Sequence, residues 1–342
     1  MDRYFALSPD EGRDIAAFRK RFGRNIWQHF VSEMKLGPDG GLARVHWPET
    51  RAVSEVYLDL FDAAGVNTAP LRAMPIDDAF YHAMDEVLVS GNRTLEADPR
   101  TAKLVPPNGV HWQRRDQGVL IDFRNCDILS ENLVQAGTPL KPGGRYLDFG
   151  CSSARTVRTF WGAYPDMHWA GVDPLPTSIN WAAKVLPEID LHVNNRWPPM
   201  DVFPDGSFDG MYALSIWSHF SELSGIEWLN EMHRLLKPGG FALITCNGYS
   251  EILRRLWIDA GKLNHLDPDV LVRAYNGLVA SGFYFEPDLM EYPEFKDQSH
   301  WSHTFISRKW FRALEETGKW KLAHYADMQW GHKQDIVVLV RQ

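Results

Sequence analysis

Two carboxylates and a run of very small residues offer the clearest chemistry in this chain. Asp148 lies inside the apolar stretch of "YLDFGCSSART", which continues through Gly150 to Ser152, Ser153 and Ala154. Asp173 closes the next strand-like stretch, "HWAGVD", just before "PLPTS". A glycine at a strand end lets backbone approach a ligand closely, and small residues after it let the following helix pack tightly on the strand. An acid at the end of the second strand can accept both hydroxyls of a ribose at once. The chain has no GxGxxG, the pattern that cradles a pyrophosphate. The spacing therefore favours a nucleoside cofactor without a diphosphate over a nicotinamide dinucleotide.

A second group of residues could act on the other reactant. His219, in "SIWSHF", titrates near neutral pH and can take a proton from a hydroxyl; anchoring a loop is the equally open alternative. His300 and His303 in "DQSHWSHTF" form a second pair of candidates, with Glu222 and Tyr249 available to orient an acceptor. Asp297, His300 and His303 are spaced by threes, but no further ligand motif accompanies them, so no metal site is expected.

These residues need a scaffold, and hydrophobic periodicity supplies one. From the Pro-Gly-Gly turn of "LKPGGRY" onward, strands and helices alternate: strand "RYLDFG", helix "ARTVRTFWGAY", strand "HWAGVD", helix "TSINWAAKVL", short strand "IDLHVN", strand "FDGMYALS", helix "GIEWLNEMHRLL" and strand "GFALITCN". Such alternation implies parallel strands with crossover helices. Residues 249–304 break the rhythm with two helical stretches and an irregular acidic-aromatic loop, "FYFEPDLMEYPEFKDQSHWSH", and are read as a lid insertion. A helix "SRKWFRALEETG" and two strands joined by a glycine-containing turn follow. Upstream, residues 1–140 read as a helical cap or substrate region. There Ile15, Phe18, Phe22, Ile26, Phe30 and Met34 share one helical stripe, and "SEVYLDLFDAAG" and "DDAFYHAMDEVLVSG" are further amphipathic helices.

Composition excludes several classes. A net charge of -8 and the lack of a long Lys/Arg run argue against a nucleic-acid partner. No window is long and apolar enough for a membrane span and no secretory signal is recognisable, which leads to the expectation of a cytoplasmic protein. The 3 cysteines are widely separated, which fits reduced thiols and no disulfide framework. The 14 tryptophans suit either core and lid packing or a platform for sugar faces, aromatic rings or a cationic centre.

"YLDFGCSSARTVR", "GVDPLPTSINWA", "NNRWPPMDVFPDGSFDGMYALSIWSHF" and "WLNEMHRLLKPGGFALITCNG" resemble, in order and spacing, the successive motifs of class I S-adenosylmethionine-dependent methyltransferases, in particular a bacterial subset with "LDFGCGxGR" and "PPLPFPDGSFD". The resemblance implies a Rossmann-like α/β fold over residues 141–342, with a seven-stranded, mostly parallel sheet and a terminal antiparallel hairpin. It further implies that Asp148, Phe149, Gly150 and Ser152 line the methionine part of S-adenosylmethionine, and that Asp173 holds the ribose. By the same resemblance Pro174 and Leu175 flank the adenine, Asn194 and Asn195 lie near its amine, and Ser215 and Ile216 close the site beneath the sulfonium. Where the family usually has glycines, this chain has Ser152 and Ala154. The implied activity is methylation of a small molecule or glycan, on oxygen first, with His219 or His303 as a possible base. Nitrogen acceptors and a non-catalytic scaffold are the alternatives, and the sequence leaves the oligomeric state open.

Overall fold

The structure, a computed structural model, describes residues 51–89, 106–107, 109–110, 120–257, 266–287, 300–330 and 334–342. The helix expected around residues 14–34 lies outside them, as do Trp112 and Asp297. "AVSEVYLDLFDA" forms helix α1 (Ala52–Ala63), whose Val53, Tyr57, Leu58 and Phe61 recur at three- and four-residue spacing and are buried. A short α2 (Ala69–Arg72) and α3 (Asp78–Val89) follow, and later a long α4 (Leu120–Gln135). Tyr57 meets Phe123 of α4 edge-on at 4.6 Å, and its hydroxyl donates to the Thr159 carbonyl at 3.2 Å.

Buried Asp127 ties these helices together. Its Oδ1 accepts from the amides of Val53 (2.7 Å) and Ser54 (3.3 Å), while Oδ2 accepts from the hydroxyls of Ser54 (2.5 Å) and Tyr81 (3.1 Å). The first turn of α1 gets no side-chain cap from Arg51. Asp127 thus satisfies, from a distant helix, donors that every helix start leaves over.

Strands β1 (Arg145–Phe149), β2 (His168–Asp173), β3 (Asp190–Val193) and β4 (Phe208–Ala213) pair in parallel, β1 lying between β2 and β4. The crossovers are helices α5 (Arg155–Ala163) and α6 (Pro176–Val185). β1, β2 and β4 are covered on both faces, which is why their sequences are nearly continuous apolar runs. Gly171 in β2 permits a close approach: a Cβ there would stand 2.9 Å from Cys151 Sγ and 2.8 Å from Leu191.

Next come α7 (Glu222–Leu235), β5 (Leu236–Cys246), α8 (Tyr249–Trp257), α9 (Pro268–Ala280), β6 (Phe283–Glu286), β7 (His303–Ile306), α10 (Arg308–Glu315), β8 (Trp320–Trp330) and β9 (Gln334–Arg341). The main sheet has seven strands in the order β3-β2-β1-β4-β5-β9-β8, and β8 and β9 are antiparallel. This is the Rossmann-like, mostly parallel sheet with a terminal antiparallel pair that the sequence led us to expect.

Two local readings need correction. "FYFE" is not irregular: it is β6, paired antiparallel with β7 from Phe283↔Ile306 to Glu286↔His303. Its partner lies beyond an acidic stretch, and local periodicity carries no information about such a pairing. "LKPGG" before "FALITC" belongs to β5. Helix α4 falls within the region 1–140 that was read as helical. Among the tryptophans, Trp169, Trp217, Trp228 and Trp310 are buried, in line with the packing reading, whereas Trp197 is exposed.

The described residues divide into two compact units, one drawn from Leu214–His233 and Leu243–Gln342, the other from 51–213 and Arg234–Ala242. Helices α1, α3 and α4 belong to the second, together with β1 to β4.

Candidate active site

In the unit that contains β1 to β4, the sheet order reverses between β2–β1 and β1–β4, the place where open α/β sheets bind ligands at their carboxyl ends. The turn after β1 is built with the backbone of a glycine-rich loop but with other side chains. Gly150 has φ 81°, and both Ser152 (φ 49°) and Ala154 (φ 61°) are also left-handed, a region that disfavours any residue with a Cβ. The turn keeps its shape because Asp173 braces it: Asp173 Oδ2 accepts from the Ser152 amide at 2.8 Å, and Oδ1 from the Leu175 amide at 2.9 Å. Beyond the turn, Asp122 of α4 holds the start of α5, accepting from Arg155 Nε at 3.1 Å and Arg158 Nη2 at 2.8 Å, all three residues being buried. Ser152→Gly should relieve one strained position and stabilise the protein by about 0.5–1 kcal/mol, read as a higher urea midpoint. A lower midpoint would show that the Ser152 side chain contributes more than its backbone costs.

Burial governs the electrostatics here. Asp148 is pushed up to about 8, first by burial and further by the charge of Asp173, while the Tyr212 hydroxyl and the Val157 amide work against this. Asp173 is raised as well, chiefly by burial, against the pull of the Leu175 and Ser152 amides. Phe149 is buried beside Asp148, Pro174 and Leu175 are half-buried, and Leu175 is the residue from which α6 starts. Asn194 follows β3; its amide donates to the Asp173 carbonyl at 3.3 Å and its Nδ2 to the Asn195 carbonyl at 2.9 Å. Asn194 Oδ1 is shielded from solvent and has no partner.

That set of groups fits an adenosyl cofactor. Each Asp173 oxygen keeps a lone pair beyond its amide bond, enough for ribose hydroxyls. Asn194 Oδ1 is an unmatched acceptor of the kind an adenine amine would satisfy, because a shielded polar atom without a partner is costly. Asn195 is exposed.

In the other unit, the segment after β4 begins at Ser215, itself left-handed at φ 59°, and turns through Ile216, whose carbonyl accepts from the His219 amide at 3.0 Å. His219 Nδ1 donates to the Ser302 carbonyl at 2.8 Å, which fixes the tautomer and leaves Nε2 unprotonated. Burial lowers the imidazole to about 4, with the Ser302 carbonyl pulling the other way, so His219 is neutral at physiological pH. Its ring stacks on Trp301 at 4.9 Å and lies 6.2 Å from the ring of His303. His300 Nδ1 is 2.9 Å from the Ser221 hydroxyl, which also caps α7 by accepting from the Ser224 amide at 3.2 Å. Glu222 Oε1 accepts from Trp310 Nε1 at 2.8 Å, so this carboxylate is tethered to α10.

The structure thus groups Asp148, Gly150, Ser152, Asp173 and Asn194 in one unit and Ser215, Ile216, His219 and His303 in the other. Sequence reasoning missed the bracing of the turn by Asp173 and the anchoring of α5 by Asp122. Asp122, set among the apolar residues of "LIDFRNCDILSENL" with no other acid one helical turn away, was the signal that could have exposed the latter.

Residues 147–240 match a protein-family model described as a methyltransferase domain. Among curated proteins, a sterol 24-C-methyltransferase of Neurospora crassa is 27% identical over 152 residues, covering 43% of this chain and 38% of that protein. One of Gibberella zeae is 32% identical over 117 residues, 32% of this chain and 29% of that protein. A botryococcene C-methyltransferase of Botryococcus braunii is 27% identical over 148 residues, 39% and 35% respectively. The matches thus span about a third of the length of these curated relatives. Among solved structures, the geranyl diphosphate C-methyltransferase of Streptomyces coelicolor A3(2) is 12% identical over 66% of this chain and 79% of that one, with a TM-score of 0.41. Motif, sheet and family match coincide on the same stretch, and residues 147–240 are similar to a methyltransferase domain.

Proposed function

We propose that this chain transfers a methyl group from S-adenosylmethionine to a small-molecule acceptor. The observation that carries the reading is the braced turn after β1, in which non-glycine residues hold left-handed backbone against Asp173 beside the unmatched Asn194 Oδ1. In this reading Asp173 holds the ribose, Asn194 the adenine amine with Asn195 nearby, and Pro174 and Leu175 the faces of the base. Asp148, Phe149, Gly150 and Ser152 line the methionine part, and Ser215 and Ile216 the sulfonium end. When bound, the cofactor supplies a methyl group already activated by a positive sulfonium, so the protein's task is to align the acceptor and exclude water. His219 is neutral with Nε2 unprotonated and so has a site for the proton of an acceptor hydroxyl, but burial makes it a weaker base than the free imidazole the sequence suggested; His303 is the alternative base. Residues 1–140 and the lid, 249–304, are the regions assigned to acceptor recognition, for glycans as well as other small molecules.

Transfer to carbon is the second reading, favoured by the names of the curated relatives, whose acceptors are sterols and botryococcene. Incubating the protein with methyl-labelled S-adenosylmethionine and parallel panels of hydroxylated and isoprenoid compounds separates the two. Label on a hydroxyl oxygen supports the first, and label on an isoprenoid carbon supports the second and removes His219 from its role as hydroxyl base.

Cofactor binding itself is tested by titration calorimetry with S-adenosylmethionine and S-adenosylhomocysteine. Asp173→Ala should weaken both by about 1–3 kcal/mol, roughly 5- to 150-fold, as expected for stripping the partner from hydrogen-bonding groups. Unchanged affinity would take Asp173 out of the site, and no binding by the unaltered protein would favour a scaffold over an enzyme.

A further inference from the structure

Two adjacent residues at the start of β9 each hold a non-glycine residue in the left-handed region. Asp335 Oδ1 accepts from the amide of Met328 (φ 56°) at 3.0 Å, a bond confined to the β8–β9 hairpin. Gln334 reaches much further: its Oε1 accepts from the hydroxyl of Ser215 (φ 59°) at 3.0 Å and from that of Thr245 at 2.9 Å. Thr245 Oγ1 in turn accepts from the Ser215 amide at 2.7 Å, so Ser215 is gripped at both its backbone and its side chain. Gln334 Nε2 donates to Asn247 Oδ1 at 3.3 Å, and Asn247 Nδ2 donates to the Thr304 carbonyl at 3.0 Å. Thr304 completes the line, with its amide on the Ser218 carbonyl at 2.8 Å and its hydroxyl on the Phe220 carbonyl at 2.6 Å.

Thr245, Asn247, Thr304 and Gln334 are all buried. A buried polar chain is costly to build where apolar residues would pack as well, and a strained backbone persists only where its surroundings over-determine it. Both features converge on the short segment that leaves β4. We propose that Gln334 is a positioning residue, fixing Ser215 directly and the segment through Phe220 by way of Asn247 and Thr304, in the conformation that contacts the cofactor. The proposal rests on the assignment of Ser215 to the sulfonium end of the site.

The test measures affinity for S-adenosylhomocysteine by calorimetry, well below the melting transition, in the unaltered protein and in Gln334→Leu, Ser215→Ala and the double variant. Each single change should raise Kd about tenfold and the double no further than either, because both break one shared arrangement. Equal affinity in Gln334→Leu and the unaltered protein, or fully additive losses in the double, would overturn the positioning role while leaving the methyltransferase reading intact. A lower melting temperature with unchanged Kd would likewise mark Gln334 as a purely structural residue. Should Gln334→Leu fail to fold, Thr245→Val, close to isosteric, removes both hydroxyl bonds and takes its place under the same criteria. Absence of binding by the unaltered protein would overturn the functional reading and this inference with it.

Discussion

Asp148→Asn should make the protein more stable than the parent at pH 8 and no more stable at pH 4. The Asp148 carboxyl titrates near 3.8 when the chain is unfolded and near 8 when folded, so the native state binds the extra proton between those limits. Stability of the parent therefore declines as pH climbs through that window, by up to about 1.4 kcal/mol per pH unit for this one group, and levels off above it. Asparagine copies the shape of the protonated acid and has no proton to lose. The acidic and thiol groups that feel Asp148 are Asp173, Tyr212, Cys126 and Cys151, all common to parent and variant, so the difference between the two denaturation series isolates Asp148. Parallel pH profiles would remove the buried, protonated state from consideration.

The same acid makes a statement about ligand binding. A cofactor with a positive sulfonium and an ammonium favours the ionised form of a nearby carboxyl. Binding near pH 7 should then expel a proton from Asp148. Calorimetry in buffers of different ionisation enthalpy would record that release in the parent and its loss in Asp148→Asn.

Asp127→Ala is expected to be the most damaging change outside the site, costing about 3–5 kcal/mol. It strips two amides and two hydroxyls of their common acceptor in a region closed to water. Asp127→Asn should cost less, since one oxygen survives, although its amide then faces donors. Burial raises the Asp127 carboxyl to about 6, while the bonds from Ser54, Val53 and Tyr81 pull it down. The parent should accordingly lose some stability between about pH 4 and 6 through this group, a slope that neither variant retains. Urea unfolding at pH 7 measures the first effect, and a loss below about 1 kcal/mol for Asp127→Ala would mean that other groups cap α1.

How much of this was legible in the sequence follows from the range of the forces involved. β1, β2 and β4 announce themselves because strands covered on both faces must be apolar along their length, and Asp148 and Asp173 stand out against that background. The helices α1 and α3 were equally clear from their spacing. Ser215 was not recognisable as a left-handed position, and Ser152 only as a place where the family has glycine, because that conformation is usually flagged by glycine and here is held by Asp173 at Ser152 and by Thr245 and Gln334 at Ser215. The pairing of β6 with β7 and the capping of α1 by Asp127 were hidden for the same reason: each depends on a partner that local periodicity does not identify.

The place of β9 has a consequence for how the chain acquires its structure. In sequence β8 precedes β9, yet in the sheet β9 separates β8 from β5. A growing chain that has made β8 but not β9 therefore cannot seat β8 at its final address, and leaves the edge of β5 unpaired in the meantime. Unpaired edges invite pairing with other chains. The growing chain should be most prone to aggregation in the interval before Gln334–Arg341 emerges, and arrested chains that stop short of Gln334 should be the ones that chaperones retain longest.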